Sequence, residues 1–187
     1  MLIAKLKKET NIIEYVLYMF QIEDIVRSFK FDMNLINQHI IQQYEQPESV
    51  KLEIKSWYQN LIDTMKAEQI EQSGHMQRLS ETISGLDILH NTLLTTIQDK
   101  EYQKLYEIAK SPMQELVRKS GGKGTKHEIE IALNGLYGLL VLRLKKETIG
   151  SETEKEMAKI TSLLAHLNHQ YFQMKMGKLS LSQEKQN

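Results

Sequence analysis

The chain has 187 residues and carries 24 Lys and Arg against 24 Asp and Glu, for a formal charge of zero. That is one domain's length of chain, its 41% hydrophobic content supports a sizeable core and argues against disorder, and its neutrality removes the electrostatic drive for non-specific nucleic-acid binding. The absence of cysteine excludes disulfides, thiolate metal sites and cysteine nucleophiles, and only 2 prolines and 9 glycines are too few turn signals for an all-β chain.

The first residues reach a lysine at Lys5 without the apolar stretch of a signal peptide. The longest apolar run, 136–142, stops at Arg143, far short of a membrane span. A cytoplasmic protein with no membrane partner is the expectation. In chain order, Asn11 with Glu14 reads as a box-like cap opening a helix over 11–29, and Asp32 as the cap of a short helix over 32–44. Further helices follow over 47–71, 75–98 and 100–119, the last with a break or kink where Ser111, Pro112 and Gln114 form a second start signal. Thr125 with Glu128 and Ser151 with Glu154 are full capping boxes for helices over 126–147 and 152–176. Gly74, the Gly121 and Gly122 pair, Gly150 and Gly177 read as stops. Each segment repeats its apolar residues at the helical period, as in Val50, Ile54, Trp57, Leu61 and Met65, or Met157, Ile160, Leu164, Leu167 and Tyr171. Short connections and the absence of a dividing linker predict an all-α fold, a single antiparallel bundle of about six to seven helices over 1–177 with a flexible polar tail over 178–187.

Three helices carry charged or titratable residues inside their apolar faces. Glu23 and Arg27 lie one turn apart within a broad arc made by Ile12, Val16, Met19, Phe20, Ile22, Val26 and Phe29, in the order that favours an i,i+4 ion pair. His90 sits in the stripe of Leu79, Ile83, Leu86, Leu93, Leu94 and Ile97, and Arg143 points among Ile129, Ala132, Leu133, Leu136, Leu140 and Leu144. Stranding such groups in hydrocarbon costs several kcal/mol per ion, so Glu23, Arg27, His90 and Arg143 are expected to share one buried or half-buried cluster. Its excess positive charge suits an anionic ligand. The same residues equally serve as an ion-pair network that fixes helix register, with Tyr15 or Tyr137 adding hydrogen bonds, or the arginines snorkel to the surface.

The basic, glycine-rich stretch containing Arg118, Lys119, Ser120, Lys123, Thr125 and Lys126 leads into a helix N-terminus, where free N–H groups favour an anion. It departs from the phosphate-loop motif, because Gly124 follows Lys123 and no strand precedes it, so a solvated loop joining two capped helices is the plainer reading. No Glu-x-x-His metal pair is present; Asp87 with His90 is the nearest, and His166 with His169 faces away from its helix's apolar stripe as surface histidines do. No cofactor, metal or catalytic constellation is expected. Gly135 and Gly138 inside a helix predict a close helix approach, while 9 Met and 8 Tyr suit a core or a self-associating interface.

The run NIIEYVLYMFQIEDIVR, the segment SWYQNLIDTM, the tetrad Gly74, His75, Met76 and Gln77, and the run EIEIALNGLYGLLVLRL together resemble a Bacteroides-type family of all-helical proteins of unknown function. The likeness includes Glu14, Tyr15, Tyr18, Glu23, Asp24 and Arg27 in the first run, and Glu128, Glu130, Tyr137, Gly138 and Arg143 in the last. It implies an intracellular bacterial domain and brings no catalytic role. Two functional classes stand: a structural or protein-interaction module whose inner charges serve the fold, acting on itself or another protein, or a small anionic-ligand binder, conceivably an enzyme, built on Arg27, His90 and Arg143. A solvent-connected cavity lined by those residues would favour the second.

Overall fold

The computed structural model describes residues 2–120 and 127–179. Regular structure among them is helical throughout: α1 (Leu2–Thr10), α2 (Ile12–Ser28), α3 (Met33–His39), a 3-10 turn (Ile41–Gln43), α4 (Glu48–Ala67), α5 (Gln77–Thr95), α6 (Lys100–Lys119), α7 (Glu128–Leu144) and α8 (Ser151–Lys175). No described helix is long and apolar enough to cross a membrane. The chain forms two compact units, Met1–Glu81 and Thr82–Asn187.

In the first unit α1 packs on α2, and α3 and the 3-10 turn pack on α4. Its core contains Val16, Met19, Phe20 and Val26 of α2, Ile36, Ile41, and Tyr58, Leu61, Ile62 and Met65 of α4. In the second unit α6 packs on α7 and α8, and α7 on α8, around Tyr102, Ala109, Met113, Ile129, Leu133, Ile160, Leu164 and Leu167. Tyr106 meets Glu128, and Leu116 meets Gly135. Contacts between α6 and α7 therefore advance in the same direction along both helices, so these consecutive helices do not fold back on one another as a simple hairpin.

Two polar caps are as the residues predict. Asn11 Oδ1 accepts the Glu14 N–H at 3.0 Å, while the Asn11 N–H donates to Lys7, so one residue closes α1, a helix not foreseen from the sequence, and opens α2. Asp32 Oδ1 accepts from Asn34 and Leu35. The Ser151–Glu154 capping box does not form. Gly150 holds the cap position of α8, placing Ser151 inside the helix, and His127 holds that of α7 without a side-chain cap. Thr125 lies outside the described residues. Helix α6 runs unbroken through Pro112, so Ser111 opens nothing.

The helix stops also move. At α2, α4 and α7 the chain turns left-handed at Lys30, Gln69 and Lys146, with φ of 52°, 57° and 58°. Each turn is closed by the paired bonds of a Schellman motif, such as Ile70 N–H to Met65 C=O and Gln69 N–H to Lys66 C=O. Gly150 is therefore not the stop of α7, and Gly74 lies beyond the end of α4. Gly177, at φ 67°, ends α8 as expected. Gly121 and Gly122 lie outside the described residues.

Only one of the two glycines in α7 marks a close approach. A Cβ on Gly135 would run into Leu116 Cδ1 and meet Met157 Cε at 3.4 Å, whereas one on Gly138 would meet nothing within 4 Å. Gly138→Ala is thus expected to raise stability by about 0.5–1 kcal/mol through helix propensity alone. Gly135→Ala should gain less, because Leu116 must swing aside. Paired urea denaturations check the difference, and equal gains would contradict the close contact.

Candidate functional site

The first unit contains the most deeply buried charged side chain among the described residues. Glu23 of α2 is 0% exposed, and its two carboxylate oxygens face the segment that joins α4 to α5. Oε2 lies 2.6 Å from His75 Nδ1 and Oε1 accepts the Met76 N–H at 2.9 Å. A carboxylate only accepts, so Nδ1–H is the donor. The His75 ring stacks on Phe20, three residues before Glu23, at a centroid distance of 4.0 Å. One face of α2 thus holds the imidazole by stacking and by hydrogen bond together.

Met76 is the residue that opens α5, since its C=O accepts from Leu79 and Ser80. A methionine supplies no capping oxygen, and two carboxylates from elsewhere provide it, Glu23 to the Met76 N–H and Glu68 to the Gln77 N–H at 2.7 Å. Both also suit the positive end of the helix dipole. Arg27, one turn beyond Glu23, takes the opposite backbone groups of the same connector. Its guanidinium donates to the Ile70 carbonyl at 3.3–3.4 Å and to the Gly74 carbonyl, and pairs with Asp24 at 3.2 Å. Glu23 and Arg27 are not the expected mutual ion pair. They clamp the connector, one by its N–H groups and the other by its carbonyls.

His90, 1% exposed, organises the second unit. Its Nδ1 is 2.8 Å from the Tyr102 hydroxyl and its Nε2 is 3.1 Å from Glu128 Oε2, whose other oxygen accepts from the Tyr106 hydroxyl at 2.9 Å. Burial pushes the Tyr102 hydroxyl far up, with the charges of Glu128, Asp87 and Asp99 adding to it, and burial and the bond to Glu128 push Tyr106 up to about 12. Both phenols therefore remain donors, which assigns Nδ1 of His90 as the acceptor and Nε2–H as the donor to Glu128. Three helices, α5, α6 and α7, are joined through one imidazole and one carboxylate.

A related pair joins α6 to α8. Asp99 caps α6 through Oδ1, while Oδ2 lies 3.0 Å from His166 Nε2 and accepts from Gln170 at 2.9 Å. Burial would raise the Asp99 carboxyl, but the Tyr102 N–H, His166 and the Glu101 N–H outweigh it and hold it below the usual range. His166, only 14% exposed at its side chain, is thus not a surface histidine, because α6 covers more of α8 than the apolar stripe suggests. His169 is exposed.

The four residues expected to cluster do not share partners. Arg143 corrects that expectation most clearly: its side chain is 58% exposed and it pairs with Glu154 at 3.6 Å. It lies 15 residues beyond Glu128 on α7, about 22 Å along the helix axis, and so cannot join the His90 group held at Glu128. Buried positions on α7 end at Leu139, leaving Leu142 and Leu144 exposed with it. In the basic stretch, Arg118 and Lys119 both pair with Glu115 and the Ser120 hydroxyl donates to Val117 C=O. Lys123, Thr125 and Lys126 lie outside the described residues. Asp87 pairs with His127 and not with His90, and no group of three metal-ligating side chains occurs among the described residues.

Sequence reasoning misses His75, Tyr102, Tyr106 and Glu128 as partners. Glu128 reads as a member of a capping box, and His75 follows a glycine at a connector, so neither lies on a periodic face that would mark it. The family described as Domain of unknown function (DUF4924) matches residues 1–178. The chain belongs to that family. The DUF4924 match spans both buried polar groups and every described helix. No curated protein and no solved structure matches the chain.

Proposed function

We propose that this DUF4924 protein is a non-catalytic helical interaction module, acting on itself or on another protein, whose inner charges serve the fold. The reading rests on one observation: the inward charges already have internal partners. Glu23 is held by His75 and Met76, Arg27 by two carbonyls and Asp24, and His90 by Tyr102 and Glu128. Among the described residues no excess cation is left facing an interior anion site, and nothing in the geometry supports the anionic-ligand reading of Arg27, His90 and Arg143. The outer surface offers a partner apolar side chains, with Leu6, Leu52, Ile88 and Leu144 each more than half exposed.

Thermal unfolding in the presence of phosphate, sulfate, citrate and ATP tests this. A specific ligand at about 100 times its Kd adds about 2.7 kcal/mol to stability, a rise readily seen. Unchanged melting is expected for all four, while a saturable rise abolished by Arg27→Met would contradict the proposal. Light scattering on the same samples distinguishes self-association from a form that awaits a different partner.

A further inference from the structure

A cavity of about 290 Å³ opens in the first unit between α1, the start of α4 and the residues that link the 3-10 turn to α4. Its walls are Ile3, Tyr44, Val50 and Ile54, with Gln46, Lys5 and Glu53 supplying polar groups. On one side it is bounded by non-helical chain, where Tyr44 is extended and Pro47 precedes α4. Ile54 is buried and forms the floor, while Lys5 and Glu53 are exposed. Among the described residues neither of these two charges has an ion-pair or hydrogen-bond partner, in contrast to Glu23 and Arg27.

An apolar hollow carrying a few placed polar groups is the usual form of a small-molecule site, and this volume is at the lower end of the range. The two charges narrow the ligand class. A dicarboxylate would be repelled by Glu53 and a diamine by Lys5. A pure hydrocarbon would use neither charge. A molecule of zero net charge bearing both signs beside an apolar group satisfies all three features. We propose that this cavity binds a free amino acid with a large apolar side chain: the carboxylate on Lys5, the ammonium on Glu53 and the side chain against Val50 and Ile54. The site is separate from the Glu23 and His90 groups and does not depend on the interaction role argued above.

Calorimetric titration of the full chain with L-phenylalanine tests the assignment, with N-acetyl-L-phenylalanine and L-phenylalaninamide as probes lacking the ammonium and the carboxylate, and glycine lacking the side chain. Lys5→Met and Glu53→Gln change exposed side chains that the fold does not use. Saturable one-to-one binding of L-phenylalanine is expected, weakened about tenfold or more by either substitution. The acetylated compound should be insensitive to Glu53→Gln, the amide insensitive to Lys5→Met, and glycine should not bind. Absence of saturable heat with L-phenylalanine up to about 10 mM, or binding that survives both substitutions unchanged, overturns the proposal.

Discussion

Glu23→Ala is expected to cost about 3 kcal/mol of folding stability, in the range for removing one partner of a buried charged pair. The cost has two sources. The Met76 N–H, on a residue that is 0% exposed, loses its acceptor at the point where α5 begins, and a buried donor without a partner carries its full desolvation penalty. The space left by the side chain adds a cavity term. Glu23→Gln keeps the shape and one carbonyl oxygen, so it should lose about half as much. His75→Phe separates the two contributions of the imidazole, since it retains stacking on Phe20 but removes the donor to Glu23. Urea denaturation of the three variants gives the ranking. A loss below about 1 kcal/mol for Glu23→Ala would show that the clamp contributes little.

The second large effect belongs to His90. Replacement by leucine, near in volume, is expected to cost about 2–3 kcal/mol. It strands the Tyr102 hydroxyl, which is on a residue 0% exposed, whereas Glu128, 40% exposed at its side chain, turns to water. Tyr102→Phe alone should cost about 1–2 kcal/mol by leaving His90 Nδ1 unpaired. The pair of changes together should cost less than their sum by about 1 kcal/mol, because removing both members leaves neither unsatisfied. Strict additivity would mean that the bond between them carries no stability.

The sequence is most legible where local chemistry decides. Asn11, Asp32 and the helical stripe of α5 depend on residues within a turn or two of one another, and they are found where the pattern puts them, whereas on α4 Tyr58 and Ile62 are buried and Val50 and Trp57 only partly so. Burial of Glu23 and His90 is also readable from their position on apolar arcs. Their partners are not. His75 and Met76 are 52 and 53 residues from Glu23, and Glu128 is 38 from His90, so nothing in local periodicity couples them. Glu128 shows the same override, since it opens α7 yet turns to His90 and Tyr106 across the unit. Arg143 departs from expectation for another reason. An apolar arc gives the direction of a side chain but not how far along the helix its neighbours extend, and the buried part of α7 stops at Leu139.

The stops differ from expectation because glycine is the least strained residue for a left-handed turn, not the only one. Lys30, Gln69 and Lys146 accept that conformation at a cost of about 1–2 kcal/mol each, and the Schellman bonds that follow offset it. The helix ends are therefore set by the returning chain as much as by the residue at the turn. At Gln69 this has a structural consequence: the helix ends early enough to free residues 70–76 as the strap that Arg27 and Glu23 hold against α2.

Hydrogen exchange resolved by residue, comparing the native chain with Arg27→Met and Glu23→Gln, tests this clamp most directly. If the inner charges exist to fix the connector, the Met76 amide and the first turn of α5 should lose protection in both variants at denaturant concentrations that leave the centre of α4 protected. Unchanged protection at Met76 in both variants, or a uniform loss across the whole first unit, would contradict the claim that Glu23 and Arg27 act as a local clamp.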